Sequence, residues 1–84
     1  MPALADLPNV GKVLESYLTR VGIKTPEQLR AVGTEEAFIR IRAQIDPGAC
    51  LRMLYGIQGA IDNMPDKFLS DSIKEELRLF YRTL

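Results

Sequence analysis

The stretch LPNVGKVLESYLTRVGIKTPEQLRAVG, from Leu7 to Gly33, decides the fold. Pro8 fixes its own φ, and Asn9 and Gly11 can adopt the left-handed conformation, so we expect the chain to reverse sharply before the next helix. This pattern is typical of helix-hairpin-helix modules. Backbone N–H groups at the start of the following helix then favour an anion, often phosphate. The alternative is that the turn only packs two helices, and the motif alone does not separate the two interpretations.

Apolar residues at three- and four-residue spacing predict a helix from Gly11 to Val21 that stops at Gly22. The segment from Thr25 to Gln28 combines an N-cap threonine, a proline at the first helical position and a capping glutamine, so a second helix begins there and ends at Gly33. Ahead of both, Ala3 to Leu7 is expected to form a short helix or an extended arm. The buried face of the first long helix is expected to contain Val10, Val13, Leu14, Tyr17, Leu18 and Val21.

Thr34 is expected to cap a third helix, Glu35 to about Ile45, which a proline-glycine break separates from a longer helix, Ala49 to Asp62. The breadth of its apolar surface predicts that this longer helix is the central one. Gly56 and Gly59 weaken it, which we interpret as a close approach by the backbone of another helix. Its expected apolar line is Cys50, Leu54, Ile57 and Ile61.

Ser70 is the expected cap of a last helix, Asp71 to about Thr83. Its apolar stripe is expected to contain Ile73, Leu77, Phe80, Tyr81 and Leu84. No segment alternates with a period of two, so the sequence predicts an all-α fold, a compact single domain of five or six helices spanning residues 1–84.

The composition argues against an enzyme. The chain has no histidine, so the usual general base, the serine and cysteine triads and the commonest zinc ligand are absent. The single cysteine, Cys50, removes disulfide frameworks and thiolate zinc clusters, and its place on the apolar line favours a buried filler over a reactive thiol. We therefore expect no catalytic residues, no cofactor and no metal.

Location and charge are also informative. No apolar run has the length of a membrane span and no signal peptide precedes the motif, so the expected location is the cytoplasm.

Eleven basic residues balance eleven acidic ones, whereas a strong nonspecific nucleic-acid binder usually has a basic excess. Glu15 and Glu27 lie among the basic residues of the opening motif, so a solvated helix surface explains these charges equally well.

The opening motif, followed by Cys50, LYGIQGAI and the closing LSDSIKEELRLF, resembles the C-terminal domain of the TfoX/Sxy family of bacterial competence regulators. The resemblance covers the chain from about Leu7 to its end, and we expect the chain to correspond to the stand-alone form of the family, which lacks the N-terminal domain of two-domain members. It implies a non-enzymatic helical domain associated with the regulation of DNA-uptake genes. Two positions depart from expectation: Gly56 stands where alanine is expected, and Asn9 stands where DNA-binding hairpins usually have glycine.

Three functions remain open. The leading one is a regulatory domain that binds a partner protein, or a second copy of itself, through an apolar patch around the last two helices; its candidate interface residues are Tyr55, Phe80 and Tyr81. The alternative is weak, sequence-nonspecific DNA binding through backbone amides of the turn. A small-molecule site or enzyme is the third. Candidate DNA-backbone contacts are Asn9, Val10, Gly11, Lys12, Lys24 and Arg30.

Overall fold

The opening turn, Leu7–Gly11, takes the reversed path that its residues predict. The computed structural model describes residues 3–84. A 3-10 turn at Leu4–Asp6 comes first, so the helical alternative for the lead-in segment is confirmed. Asn9 has φ 68°, the left-handed conformation expected of it, whereas Gly11 is extended at φ −88° and serves as the N-cap of the next helix.

Helix α1, Lys12–Arg20, follows directly and ends before Gly22, whose φ of 89° supplies the left-handed stop. Leu14 and Leu18 are buried, in agreement with the predicted apolar face. The prediction is wrong for Val13, which remains 64% exposed. Val13 lies at the outer edge of the stripe.

Helix α2, Pro26–Val32, begins as predicted, because the Thr25 hydroxyl accepts a hydrogen bond from the Gln28 amide at 3.1 Å. Gly33, with φ 86°, ends α2 and is also the N-cap of α3, Thr34–Gln44. The prediction that Thr34 caps α3 is therefore wrong. Thr34 is buried in the first turn, and its hydroxyl donates a 2.8 Å hydrogen bond to Gln58 Oε1.

Helix α4, Leu51–Ile61, is the central helix, as predicted, and packs against α2, α3 and the elements that follow it. Leu54, Ile57 and Ala60 on it are fully buried. Cys50 does not continue this line. It is the exposed N-cap residue of α4, so the prediction that Cys50 is buried in the core is wrong.

A 3-10 turn at Asp66–Phe68 leads to α5, Asp71–Arg82, where the Ser70 hydroxyl accepts a hydrogen bond from the Ile73 amide at 3.2 Å, confirming the predicted cap. Leu77 is the buried residue of its stripe, with half-buried neighbours. Leu84, beyond the end of α5, is 42% exposed and departs from the expected stripe.

The helices enclose one core, to which every α-helix contributes. Between residues 3 and 84 there are five α-helices and no strand, which confirms the all-α prediction. None of the helices in this range is both long enough and apolar enough to cross a membrane. The fully buried large side chains include Leu18, Ile23, Leu29, Phe38, Ile41, Leu54 and Ile57.

Candidate binding surface between the amino ends of α1 and α4

A groove of about 550 Å³ lies where the first turn of α1 approaches the first turn of α4. We call it the α1–α4 groove. Its apolar lining comes mainly from Val13, Leu14 and Met53, and the Gly56 position of α4 also borders it. The remaining residues that line it are Gly11 and five residues with polar or charged side chains: Asn9, Lys12, Cys50, Arg52 and Asp66.

The side chain of Asn9 is committed to the protein itself. Its Nδ2 donates hydrogen bonds to the carbonyl oxygens of Gly56, at 3.3 Å, and Met64, at 3.0 Å. Its Oδ1 accepts a hydrogen bond from the Asp66 amide at 3.2 Å. The left-handed turn at Asn9 is thus tied to α4 and to the loop after it. We call this set of hydrogen bonds the Asn9 clamp.

Gly59 explains why the clamp fits. A Cβ atom at Gly59 would lie 2.5 Å from Asn9 Nδ2 and 2.6 Å from the Met64 carbonyl oxygen, so no side chain can be accommodated there. At Gly56 a Cβ would lie 3.6 Å from Asn9 Cβ, an ordinary contact. The expected close approach is therefore real at Gly59, but it comes from the opening turn and the loop after α4 and not from the backbone of another helix.

The backbone amides predicted to bind an anion are not all available. The Val10 amide donates to the Leu7 carbonyl at 3.3 Å. The first intrahelical bond of α1 runs from the Glu15 amide to the Gly11 carbonyl, so the amides from Gly11 to Leu14 lack acceptors within the helix. Gly11 faces open space, with nothing within 4 Å of a Cβ placed there.

The candidate cations divide into two groups. Lys12 lines the groove, whereas Lys24 and Arg30 are exposed around α2 and do not line it. The groove gains instead a cation that sequence reasoning missed, Arg52, in the first turn of α4. Its signal in the sequence was its place near the start of the helix predicted after the Asp-Pro-Gly break.

The three predicted interface residues do not line this groove. Tyr55, Phe80 and Tyr81 are half-buried and pack against the core. The rings of Tyr81 and Phe38 lie 6.1 Å apart at an angle of 58°. The Tyr55 hydroxyl donates to the Lys74 carbonyl and accepts from Arg78, both at 3.5 Å, so it contacts α5.

Arg78 also forms an ion pair with Glu75, at 2.6 Å. The hydrogen bond from this guanidinium, more than its charge, holds the pKa of the Glu75 carboxyl below its ordinary value. The pair is exposed on both sides, so we assign it little weight in stability.

The described residues also border two further depressions. A depression of about 440 Å³ is bordered by Glu35, Glu36 and Glu76, and another of about 370 Å³ by Ile39 and Leu84. Within residues 3–84, no group of three or more histidine, cysteine, aspartate or glutamate side chains is arranged to hold a metal ion.

The fold and this surface define a class: a small all-helical domain with a tightly turned amino-terminal segment clamped against its central helix. The profile of the TfoX C-terminal domain family matches residues 1–81, and the chain belongs to that family.

Known relatives agree with this assignment. The chain is 34% identical over 74 residues to the DNA transformation protein TfoX of Haemophilus influenzae; the match covers 88% of this chain and 34% of that protein, about a third of its length. A crystal structure of an uncharacterized protein from Listeria monocytogenes, in a triclinic form, superposes with a TM-score of 0.95 at 41% identity, covering 98% of this chain and 92% of the other. A tetragonal form of a Listeria monocytogenes protein gives a TM-score of 0.90 at 42% identity, covering 94% and 96%.

Proposed function

We propose that this chain is a non-enzymatic regulatory domain that acts by binding another protein, in the control of DNA transformation. The regulatory context comes from its membership of the TfoX C-terminal domain family and from its similarity to the Haemophilus influenzae protein. The chain spans about a third of that relative, so the assignment of the relative's activity to this chain is part of the proposal.

The observation that carries the binding mode is the character of the α1–α4 groove. Its floor is apolar, with Val13 64% exposed, and one of the polar side chains that line it, Asn9, already forms hydrogen bonds within the protein. An exposed apolar floor is stabilised when apolar side chains of a partner cover it. A phosphate group has no apolar surface to cover that floor.

DNA binding is the second candidate, and one arrangement favours it. Acceptor-free amides in the first turn of α1 lie beside Lys12 and Arg52, which suits a phosphate. Binding through these two cations would give a slope of log affinity against log salt of about −2. The zero net charge and the separation of Lys24 and Arg30 from the groove argue for the protein partner instead.

A chimera tests the regulatory role. In Haemophilus influenzae, the segment of TfoX that matches this chain is replaced by residues 1–84, and transformation frequency is measured. We expect the chimera to retain transformation, while a chimera with Lys12→Glu and Arg52→Glu loses most of it. A folded, stably expressed chimera with no transformation would contradict the proposal.

An amide NMR titration separates the two binding modes. A short duplex DNA is added to the isotopically labelled chain at low salt. We expect no shifts at Gly11 and Lys12. Shifts confined to these amides, with the salt slope given above, would establish the DNA mode in place of the protein mode. Sedimentation equilibrium on the same sample tests whether the partner protein is a second copy of the chain.

A further inference from the structure

The α1–α4 groove carries unbalanced positive charge above its apolar floor. Lys12 and Arg52 are both exposed, and in the described part of the chain neither takes part in an ion pair, since the ion pairs there are Glu36 with Arg40 and Glu75 with Arg78. Asp66 is the one carboxylate among the residues that line the groove.

The backbone adds to this positive character. The first turns of α1 and α4 both border the groove, so the positive ends of two helix dipoles are directed to one region. The N-cap residues, Gly11 and Cys50, are uncharged; α1 has one acidic side chain in its first turn, Glu15, and α4 has none. The local field is therefore suited to negative charge.

The apolar component points to a protein segment. Val13 and Met53 line the same groove as the two cations, so an apolar side chain of a bound segment would contact them there. The volume of about 550 Å³ is in the range of sites that enclose a few side chains. An occupant that complements both features has apolar residues on one side and carboxylates on the other.

We propose that the α1–α4 groove binds an acidic, amphipathic peptide segment of a partner protein. Leucine-type side chains of the segment lie against Val13 and Met53, and its carboxylates pair with Lys12 and Arg52. The inference rests on the proposed function, since it names the surface and the chemistry of the partner of the same binding domain.

A peptide-binding assay tests the inference directly. The probe is a synthetic fluorescein-labelled peptide with leucine on one helical face and glutamate on the other, and anisotropy is followed as the full chain is added. We expect saturable binding that is lost when serine replaces the leucines or lysine replaces the glutamates. No saturation by about 1 mM protein would overturn the assignment.

Matched variants locate the site. The double change Lys12→Glu and Arg52→Glu should weaken binding about tenfold, since it reverses both complementary charges. The double change Lys24→Glu and Arg30→Glu alters net charge equally at exposed positions outside the groove and should leave affinity unchanged. Equal losses in the two double variants would show unspecific attraction and overturn the groove as the site.

A second matched pair of variants tests the apolar part of the α1–α4 groove. Val13→Ser should weaken binding about fivefold, whereas Leu79→Ser, at a position 52% exposed on α5, should not. Thermal melting followed by circular dichroism identifies any variant that fails to fold. If one matched pair contains such a variant, the other pair decides whether the groove is the binding site. A DNA duplex that displaces the peptide at physiological salt would assign the groove to nucleic acid and overturn the proposal.

The transformation chimera keeps the two proposals distinguishable. A chimera that supports transformation and is insensitive to charge reversal at Lys12 and Arg52, together with a peptide that does not bind, refutes the groove assignment and leaves the regulatory role standing. A chimera without transformation whose isolated domain binds the peptide at the groove refutes the regulatory role alone.

Discussion

Replacing Asn9 by glycine isolates the contribution of the Asn9 clamp, because glycine adopts the φ of 68° without strain and removes only the side chain. Three hydrogen bonds are lost, at 3.3, 3.0 and 3.2 Å. A net contribution of about 0.5 to 1.5 kcal/mol each, taken toward the lower end for groups near the surface, gives a destabilisation of about 2 kcal/mol. That is a large share of the total of about 4 to 13 kcal/mol expected for a chain of 84 residues.

The free energy of unfolding is measured by equilibrium unfolding in urea and Tm by thermal melting, both followed by far-ultraviolet circular dichroism. A loss of about 2 kcal/mol corresponds to a fall in Tm of about 8 to 16 °C for a domain of this size. Asn9→Ala should cost about 1 kcal/mol more than Asn9→Gly, since alanine also bears the strain of the left-handed conformation.

Asn63 provides the matched control. It is also left-handed, at φ 57°, but among residues 3–84 its side chain has no hydrogen bond. Asn63→Gly should therefore change the free energy of unfolding by no more than about 0.5 kcal/mol. A similarly small effect for Asn9→Gly, or an equal loss at both positions, would refute the clamp as a source of stability.

Two further predictions use the same unfolding assay. Gly59→Ala should destabilise the domain by about 2 kcal/mol or more, because its Cβ would meet Asn9 Nδ2 and the Met64 carbonyl oxygen. Gly56→Ala should be neutral or stabilising by up to about 1 kcal/mol, because alanine has the higher helix propensity. Equal effects of the two substitutions would contradict the assigned geometry. Cys50→Ser should stabilise the domain by about 1 kcal/mol, since Cys50 is an exposed N-cap residue without a side-chain capping bond and serine supplies one; destabilisation would indicate a buried thiol.

Local signals in the sequence were sufficient for most of the fold. The caps at Thr25 and Ser70, the stop at Gly22 and the central place of the helix after the proline-glycine break follow from short-range chemistry, and the structure confirms them. Thr34 misled because Gly33 already begins the helix, and its hydroxyl bonds to Gln58, a partner 24 positions away that no local rule identifies.

The candidate site was less accessible to sequence reasoning. Asn9 was correctly predicted to be left-handed, but the partners of its side chain are 47 to 57 positions away along the chain. Arg52 came into the groove only because α4 begins where its first turn approaches that of α1. Such convergence depends on how helices are placed relative to one another, and helical periodicity contains no information about that placement.

The Asn9 clamp also has a kinetic consequence. Its partners are separated by more than half of the chain, so the entropy of closing that loop delays these hydrogen bonds until the helices between them have assembled. Loss of the clamp should then accelerate unfolding while leaving the folding rate nearly unchanged. When the Asn9 side-chain hydrogen bonds break in the native state, the backbone amides from Leu4 to Val10 should be the first to exchange with solvent.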